Sequence, residues 1–349
     1  MRVYKNIFNK IISSENLFLA WDKFKSGKQK KQDVQRFEWW LEENIFQLHR
    51  DLKSQRYKHG SYTSFYIRDP KQRHIHKATV RDRIVHHAVF AILNPIFEPT
   101  FIFNSLSCRT DKGTHKGIDI LEKIIMQVSC NTFKPCFALK CDVKKFFETV
   151  DHSILFSIIR KRIKDKNALW LLEEIIESFT SQYSTLSGRK GLPIGNLTSQ
   201  LFANIYLNEF DQFVKHELKI KQYIRYTDDF VIVANDELYL ENLIPPIRSF
   251  LSEKLALELH SKKITIRKFR QGIDFLGYII LPYHRLLRTK TKKRMFRKLK
   301  KRVEEYKEGL ITKQTLEQSL QSYLGVLSHA DTYKLSNELK NQFWFWFTE

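Results

Sequence analysis

The stretch YIRYTDDFVIVAND, Tyr223 to Asp236, constrains the fold more than any other part of the chain. Two adjacent carboxylates, Asp228 and Asp229, interrupt two apolar, β-branched runs. Such runs read as strands, so a tight hairpin is expected, with Thr227 and Asp228 in the turn and Asp229 opening the second strand. Side chains alternate faces along a strand, so the two aspartates do not aim at one point and a third carboxylate has to come from elsewhere. Asp142 ends another apolar run, FALKCDV, and an adjacent antiparallel strand could bring it beside Asp228. Three carboxylates held together repel one another unless cations sit among them. Oxygen-only ligands suit Mg²⁺, which takes one or two carboxylates plus substrate phosphates. Two such ions stabilise the attacking and leaving oxygens of phosphoryl transfer. An Asp-Asp pair by itself is most often an ordinary exposed turn, and its weight here comes from conjunction with the features below.

The charge of the chain narrows the partner. Sixty Lys and Arg stand against 38 Asp and Glu, a formal net charge of +22. In a chain with 42% hydrophobic residues this excess favours a folded protein with a polyanionic partner, because each phosphate neutralised releases condensed counterions. Nucleic acid is the expected class. No membrane is expected, since no uninterrupted apolar run reaches the roughly 20 residues of a spanning helix. The aromatic tail NQFWFWFTE is far shorter and reads as a segment docked on the core or on a partner. Cys108, Cys130, Cys136 and Cys141 form neither a CxxC pair nor a zinc-spaced cluster with histidine, and with no secretory signal a cytoplasmic location is expected.

Periodicity predicts an α+β layer. SSEN (13–16) caps a helix, and RFEWWLEENIFQLHRDLKS has apolar residues at a period near 3.6. GSYTSFYIRDPKQRHIHKATV alternates as a hairpin with DPKQ as its turn. From Arg81 the pattern is helical and stops at two prolines, before the polar loop NSLSCRTDKGTHKGID. FKPCFALKCDVKKFFETVDHSILFSIIRKRI reads as a strand followed by one long helix. A further helix, the Gly-containing loop SGRKGLPIGNLTSQ and a helix to about Lys219 lead to the hairpin.

These residues resemble, block by block and in order, the reverse transcriptase family. YTDD (226–229) looks like that family's Tyr-x-Asp-Asp box and LKCDVKKFFETVDH like its earlier aspartate box. RDRIVHHAV, SLSCRTDKGTHKGI, GLPIGNLTSQLFANIYL, LALELHSKKI and IDFLGYI resemble the remaining fingers and palm blocks, over about residues 68 to 281. The resemblance implies a right-hand polymerase: an N-terminal helical segment over 1–60, fingers with early palm elements over 61–135, a palm with an antiparallel sheet and inserted fingers helices over 136–284, and a helical thumb over 285–349.

It also implies roles. Asp142, Asp228 and Asp229 become catalytic carboxylates and, with Val143, the site of two Mg²⁺ ions, where a primer 3′-hydroxyl attacks the α-phosphate of a dNTP. Phe147 stands where the family places an aromatic gate against a ribose 2′-hydroxyl. Arg73 and Arg81 are implied to hold the triphosphate, with Arg83 and Lys77 as rivals, and Lys263 to protonate the pyrophosphate, with Lys262 as its rival. Ile194 and Gly195 border the nucleotide; Gln200, Tyr226, Phe275, Leu276, Gly277, Arg294 and Lys298 face the primer-template.

GLPIGNLTSQ departs from the family's usual Gln-Gly-x-x-x-Ser-Pro: Ile194 precedes the glycine and Gln200 replaces proline. That departure resembles the reverse transcriptases of diversity-generating retroelements, bacterial or phage-encoded. It implies copying of a template-repeat RNA into cDNA mutagenised opposite adenines, and a small basic accessory variability protein, a pentamer, as partner. RLLRTKTKKRMFRKLKKR (285–302), with 11 basic residues and no acidic one, reads as a thumb helix with apolar spacing at Leu286, Leu287, Met295, Phe296 and Leu299. The chain is expected to stop short of the further domains of a mobile-intron protein. The alternatives are a phage-defence or intron-derived reverse transcriptase and an inactive RNA-binding scaffold.

Overall fold

The structure, a computed structural model of the 349-residue chain, describes residues 2–68, 71–185 and 188–349. The chain opens with helices α1 (Phe8–Ile12), α2 (Ser14–Lys25), α3 (Gln32–Trp39) and α4 (Leu41–Lys53). Ser13 caps α2, its hydroxyl accepting from the Asn16 amide at 3.2 Å, as the SSEN pattern predicts. The single helix expected over 36–54 is two helices, because the backbone leaves helical geometry at Trp40.

An antiparallel ribbon follows, β1 (Thr63–Ile67) and β2 (Arg73–Lys77), in which Phe65 pairs with Ile75. Asp69 and Pro70 of the expected DPKQ turn lie outside the described residues, as do Leu186 and Ser187 at the start of the glycine loop. Helix α5 (Val80–Phe97) then runs through Pro95 instead of stopping there. It ends before Pro99, in a 3₁₀ turn.

After α6 (Thr114–Val128) comes β3 (Phe137–Asp142). The single long helix expected beyond it is broken into α7 (Phe146–Thr149) and α8 (His152–Arg162). The physical reason is Asp151, whose carboxylate accepts from the Ser153 and Ile154 amides and so starts a new helix. Next come α9 (Lys166–Glu177), α10 (Leu197–Gln212), β4 (Tyr223–Tyr226), β5 (Asp229–Ala234), α11 (Glu237–Leu255) and β6 (Thr265–Lys268).

The strands β4-β5-β3-β6 form one antiparallel sheet. Both of its faces are covered. Leu139, Cys141, Phe230 and Ile232 pack into a core shared with α1–α5 and α8–α11. Ala138, Val231 and Val233 point the other way, into a core shared with α6 and the C-terminal helices. Burial on both faces explains why these strands read as continuous apolar runs.

A second antiparallel sheet, β7 (Ile273–Phe275), β8 (Tyr278–Ile280) and β9 (Arg285–Leu287), leads to α12 (Thr289–Lys307), α13 (Lys313–Leu327) and α14 (Tyr333–Thr348). Leu286 and Leu287 therefore belong to a strand and not to the helix read over 285–302. Met295, Leu299 and Val303 form the buried stripe of α12, and Phe343 of the aromatic tail is buried against the same core. The helices and antiparallel sheets together are those of a right-hand polymerase. Among the described residues no helix is long and apolar enough to cross a membrane.

Candidate active site

The β4–β5 hairpin forms as its sequence predicts. Thr227 adopts a left-handed φ of 55° in the turn and Asp229 opens β5. The pairing of β3 with β5 sets Asp142 opposite Asp229, on the face that also carries Lys140. The sequence pattern leads one to expect Asp228 beside Asp142; the register puts Asp228 one step further, in the turn, where its carbonyl accepts from the Val143 amide at 3.2 Å. The three carboxylates nonetheless act on one another. Burial pushes the Asp228 carboxyl up to about 6, with the Asp142 charge as the next cause. Asp229 is also raised, chiefly by burial.

Two lysines answer this repulsion. Lys263 donates to Asp142 Oδ1 at 2.6 Å, and Lys140 lies 3.6 Å from Asp229 Oδ2. Lys140 has no counterpart in the sequence reading; its signal is the strand period, which puts it on the face of Asp142. A cavity of about 320 Å³ opens beside them, its lining including Lys71, Lys140, Lys263, Asp142 and Asp229. Among the described residues no three His, Cys, Asp or Glu side chains are already arranged to hold an ion. The donor chemistry still fits a hard cation: the set is all oxygen, and Asp229 Oδ1 is buried without a hydrogen-bond partner.

Sequence reasoning also missed the group that fixes the turn. Arg225 and Asp211 form a buried ion pair, with Arg225 Nε and Nη2 donating to the two Asp211 oxygens at 2.7 and 2.5 Å. Tyr223 Oη donates to the same carboxylate at 2.8 Å. The remaining guanidinium nitrogen, Nη1, donates to the Thr227 carbonyl at 2.9 Å, and Thr227 Oγ1 donates to Ser107 Oγ at 2.8 Å. The backbone immediately before Asp228 is thereby held from below by a planar, fully committed fork. The bond from Arg225 to Thr227 spans two residues in sequence, but the partner that orients the guanidinium comes from α10.

Phe147 lies on α7, half-buried, with its ring 5.3 Å from the fully buried Phe146. Its carbonyl accepts from the Leu192 amide at 2.6 Å. The segment that Leu192 opens continues to the ribbon, where the His76 amide donates to the Ile194 carbonyl at 2.9 Å and Asn196 Nδ2 donates to the His76 carbonyl. Gly195 needs its φ of +115°, and a Cβ there would meet Ile75 Cγ2 at 2.9 Å. The structure thus brings Phe147, Ile194, Gly195 and the ribbon bearing Arg73 into one neighbourhood.

Other expected residues lie elsewhere. Arg81 is drawn to the N-terminal helices, pairing with Asp51 at 2.8 Å and lying over the Tyr57 ring, and its rivals Arg83 and Lys77 both pair with Asp33. Arg73 stays exposed on β2. Phe275, expected at the primer-template, is fully buried, with the Lys140 ammonium over its ring. Leu276 and Gly277, at φ 48° and 94°, form the two-residue turn between β7 and β8. Gln200 is exposed on α10, Tyr226 half-buried at the end of β4, and Arg294 and Lys298 lie along α12.

Comparison with known proteins agrees with this geometry. The chain is 28% identical over 247 residues to Protein YkfC of Escherichia coli (strain K12), covering 61% of this chain and 62% of the relative. It is 24% identical over 305 residues to the Group II intron-encoded protein LtrA of Lactococcus lactis subsp. cremoris, covering 68% of this chain and 50% of that protein. The chain therefore spans about half to three fifths of the length of these relatives. The model of the reverse transcriptase (RNA-dependent DNA polymerase) family matches residues 58–280, more than half of the chain and all three carboxylates, and the chain belongs to that family.

Proposed function

We propose that the chain is an RNA-directed DNA polymerase acting by nucleotidyl transfer at Asp142, Asp228 and Asp229. The observation that carries this reading is the β3–β5 register, which sets two carboxylates opposite each other with a third, raised to about 6, in the adjoining turn. A carboxylate raised first by burial and then by the Asp142 charge favours a divalent cation beside it. Two Mg²⁺ ions, when bound, supply the positive charge that the phosphates and the primer hydroxyl require.

The chain's own residues do the rest. Lys263, which pairs with Asp142, moves to the leaving pyrophosphate as its proton donor. Phe147 excludes a ribose 2′-hydroxyl by its bulk, and Arg73 reaches the triphosphate from the ribbon. The basic side of α12 follows the backbone of the primer-template.

Within this class, Ile194-Gly195 and Ser199-Gln200 support the diversity-generating type, which copies a template-repeat RNA with errors opposite adenine and works with a basic pentameric accessory protein. An aliphatic Ile194 offers the nascent pair no hydrogen bond, so mismatched geometry is penalised less. The likeness to the group II intron-encoded protein of Lactococcus favours a second reading, an intron-derived reverse transcriptase.

The test is cDNA synthesis on a template-repeat RNA with the accessory protein present, sequencing of the products, and an Asp228→Asn control. Products changed opposite adenine, and lost in the control, support the retroelement reading. Accurate products support the intron-derived one. No product from folded wild-type protein overturns the polymerase reading.

A further inference from the structure

We infer that the end of the palm sheet remote from the carboxylates carries a separate site for a single-stranded polynucleotide, with a base stacked on Phe133 and phosphates taken by Lys134, Lys268 and Arg270. Three observations converge there.

The first is backbone geometry. Between α6 and β3 the chain passes through Cys130, Asn131 and Thr132 with φ of 48°, 55° and 77°. Left-handed backbone is uncommon away from glycine, and for β-branched threonine it is an outlier. It is held by bonds from the Asn131 amide to the Met126 carbonyl and from the Lys134 amide to the Ser129 carbonyl, each 2.8 Å. Its product is a phenylalanine, Phe133, left 91% exposed.

The second is a cavity of about 400 Å³ directly beside that ring. Phe133, Phe137 and Phe269 supply aromatic lining, Lys134, Lys268 and Arg270 supply charge, and no carboxylate contributes. Among the described residues none of these three cations is paired with a carboxylate, whereas Arg225, Arg285 and Lys263 all are. Phe137 and Phe269 are buried and form the floor, so Phe133 is the ring with an open face, and an exposed ring among such cations suits a stacked base and its phosphates.

The third is distance. Phe137 pairs with Lys268 across β3 and β6, five residues from Asp142 along the strand. At about 3.4 Å per residue, the site lies about 17 Å from the carboxylates. It is outside the reaction centre yet within reach of a strand entering or leaving it. An apolar protein segment would cover the exposed Phe133 ring but leave three cations without a carboxylate or phosphate, so charge complementarity favours the polynucleotide.

The experiment measures binding without dNTPs, so it stands apart from the polymerase reading. Fluorescence anisotropy compares a blunt duplex with duplexes carrying a long single-stranded overhang of RNA or of DNA. The wild type should bind an overhang duplex about tenfold more tightly than the blunt one, and Phe133→Ala should lose that gain. Lys268→Gln with Arg270→Gln should lower the slope of log affinity against log salt by about 1.4, near 0.7 per cation. Gain with RNA alone identifies a template strand, with DNA alone a product strand, and with both a sequence-blind anchor. Blunt-duplex affinity unchanged in every variant shows that the folded cleft is intact. Equal overhang gain in wild type and variants overturns the inference, as does no gain in the wild type.

Discussion

Replacing Asp228 with asparagine should abolish synthesis and, without divalent cations, make the folded protein more stable. The folded carboxyl is raised from 3.8 to about 6 by burial and by Asp142. A raised carboxyl binds its proton more tightly when folded, so the stability it contributes is complete below pH 3.8 and is lost as pH rises through about 6. A rise of this size makes the ionised carboxylate cost about 3 kcal/mol at pH 8, and about half of that at pH 5. An unfolding entropy of about 2.1 cal/mol/K per residue converts the former to a Tm rise of about 4 °C. Thermal unfolding of wild type and Asp228→Asn in chelator, at pH 8 and pH 5, measures both values. Mg²⁺ should then raise the Tm of the wild type more than that of the variant. A variant no more stable than wild type at pH 8, or an advantage that grows toward pH 5, would refute the electrostatic account.

Arg225→Met leaves Asp211 buried and unpaired and should cost about 3–5 kcal/mol in urea unfolding. Arg225→Lys keeps the charge but not the fork to Thr227, so kcat should fall while the KM for nucleotide stays near wild type; unchanged kcat would reduce the pair to a purely structural role. Phe147→Ala should raise ribonucleotide incorporation in a sugar-competition assay, and unaltered sugar selectivity would remove Phe147 as the gate. Ile194→Gln should lower the frequency of errors opposite adenine in sequenced cDNA, and an unchanged error spectrum would leave Ile194 as packing alone.

Much of the site was legible because its signals are local. The hairpin is written in two β-branched runs around a turn, and the strand ending in Asp142 in one apolar run. The cap at Ser13 is likewise a short-range pattern. What failed was continuity: Trp40 and Asp151 divide helices whose apolar period runs straight through them, while Pro95 sits inside a helix that its type would stop. Propensity is a weak prior, and packing of α5 against α2 and α10 outweighs one lost hydrogen bond.

The sequence by itself determined the family, the three carboxylates and the excess of positive charge, since each rests on residue type and short spacing. Only the tertiary structure decided that Asp142 faces Asp229, that Lys140 and Lys263 neutralise the pair, that Arg225 and Asp211 hold the turn, and that Arg81 is engaged elsewhere. These depend on register between strands and on partners distant in sequence, and electrostatic energy depends on distance in space, which no spacing along the chain records.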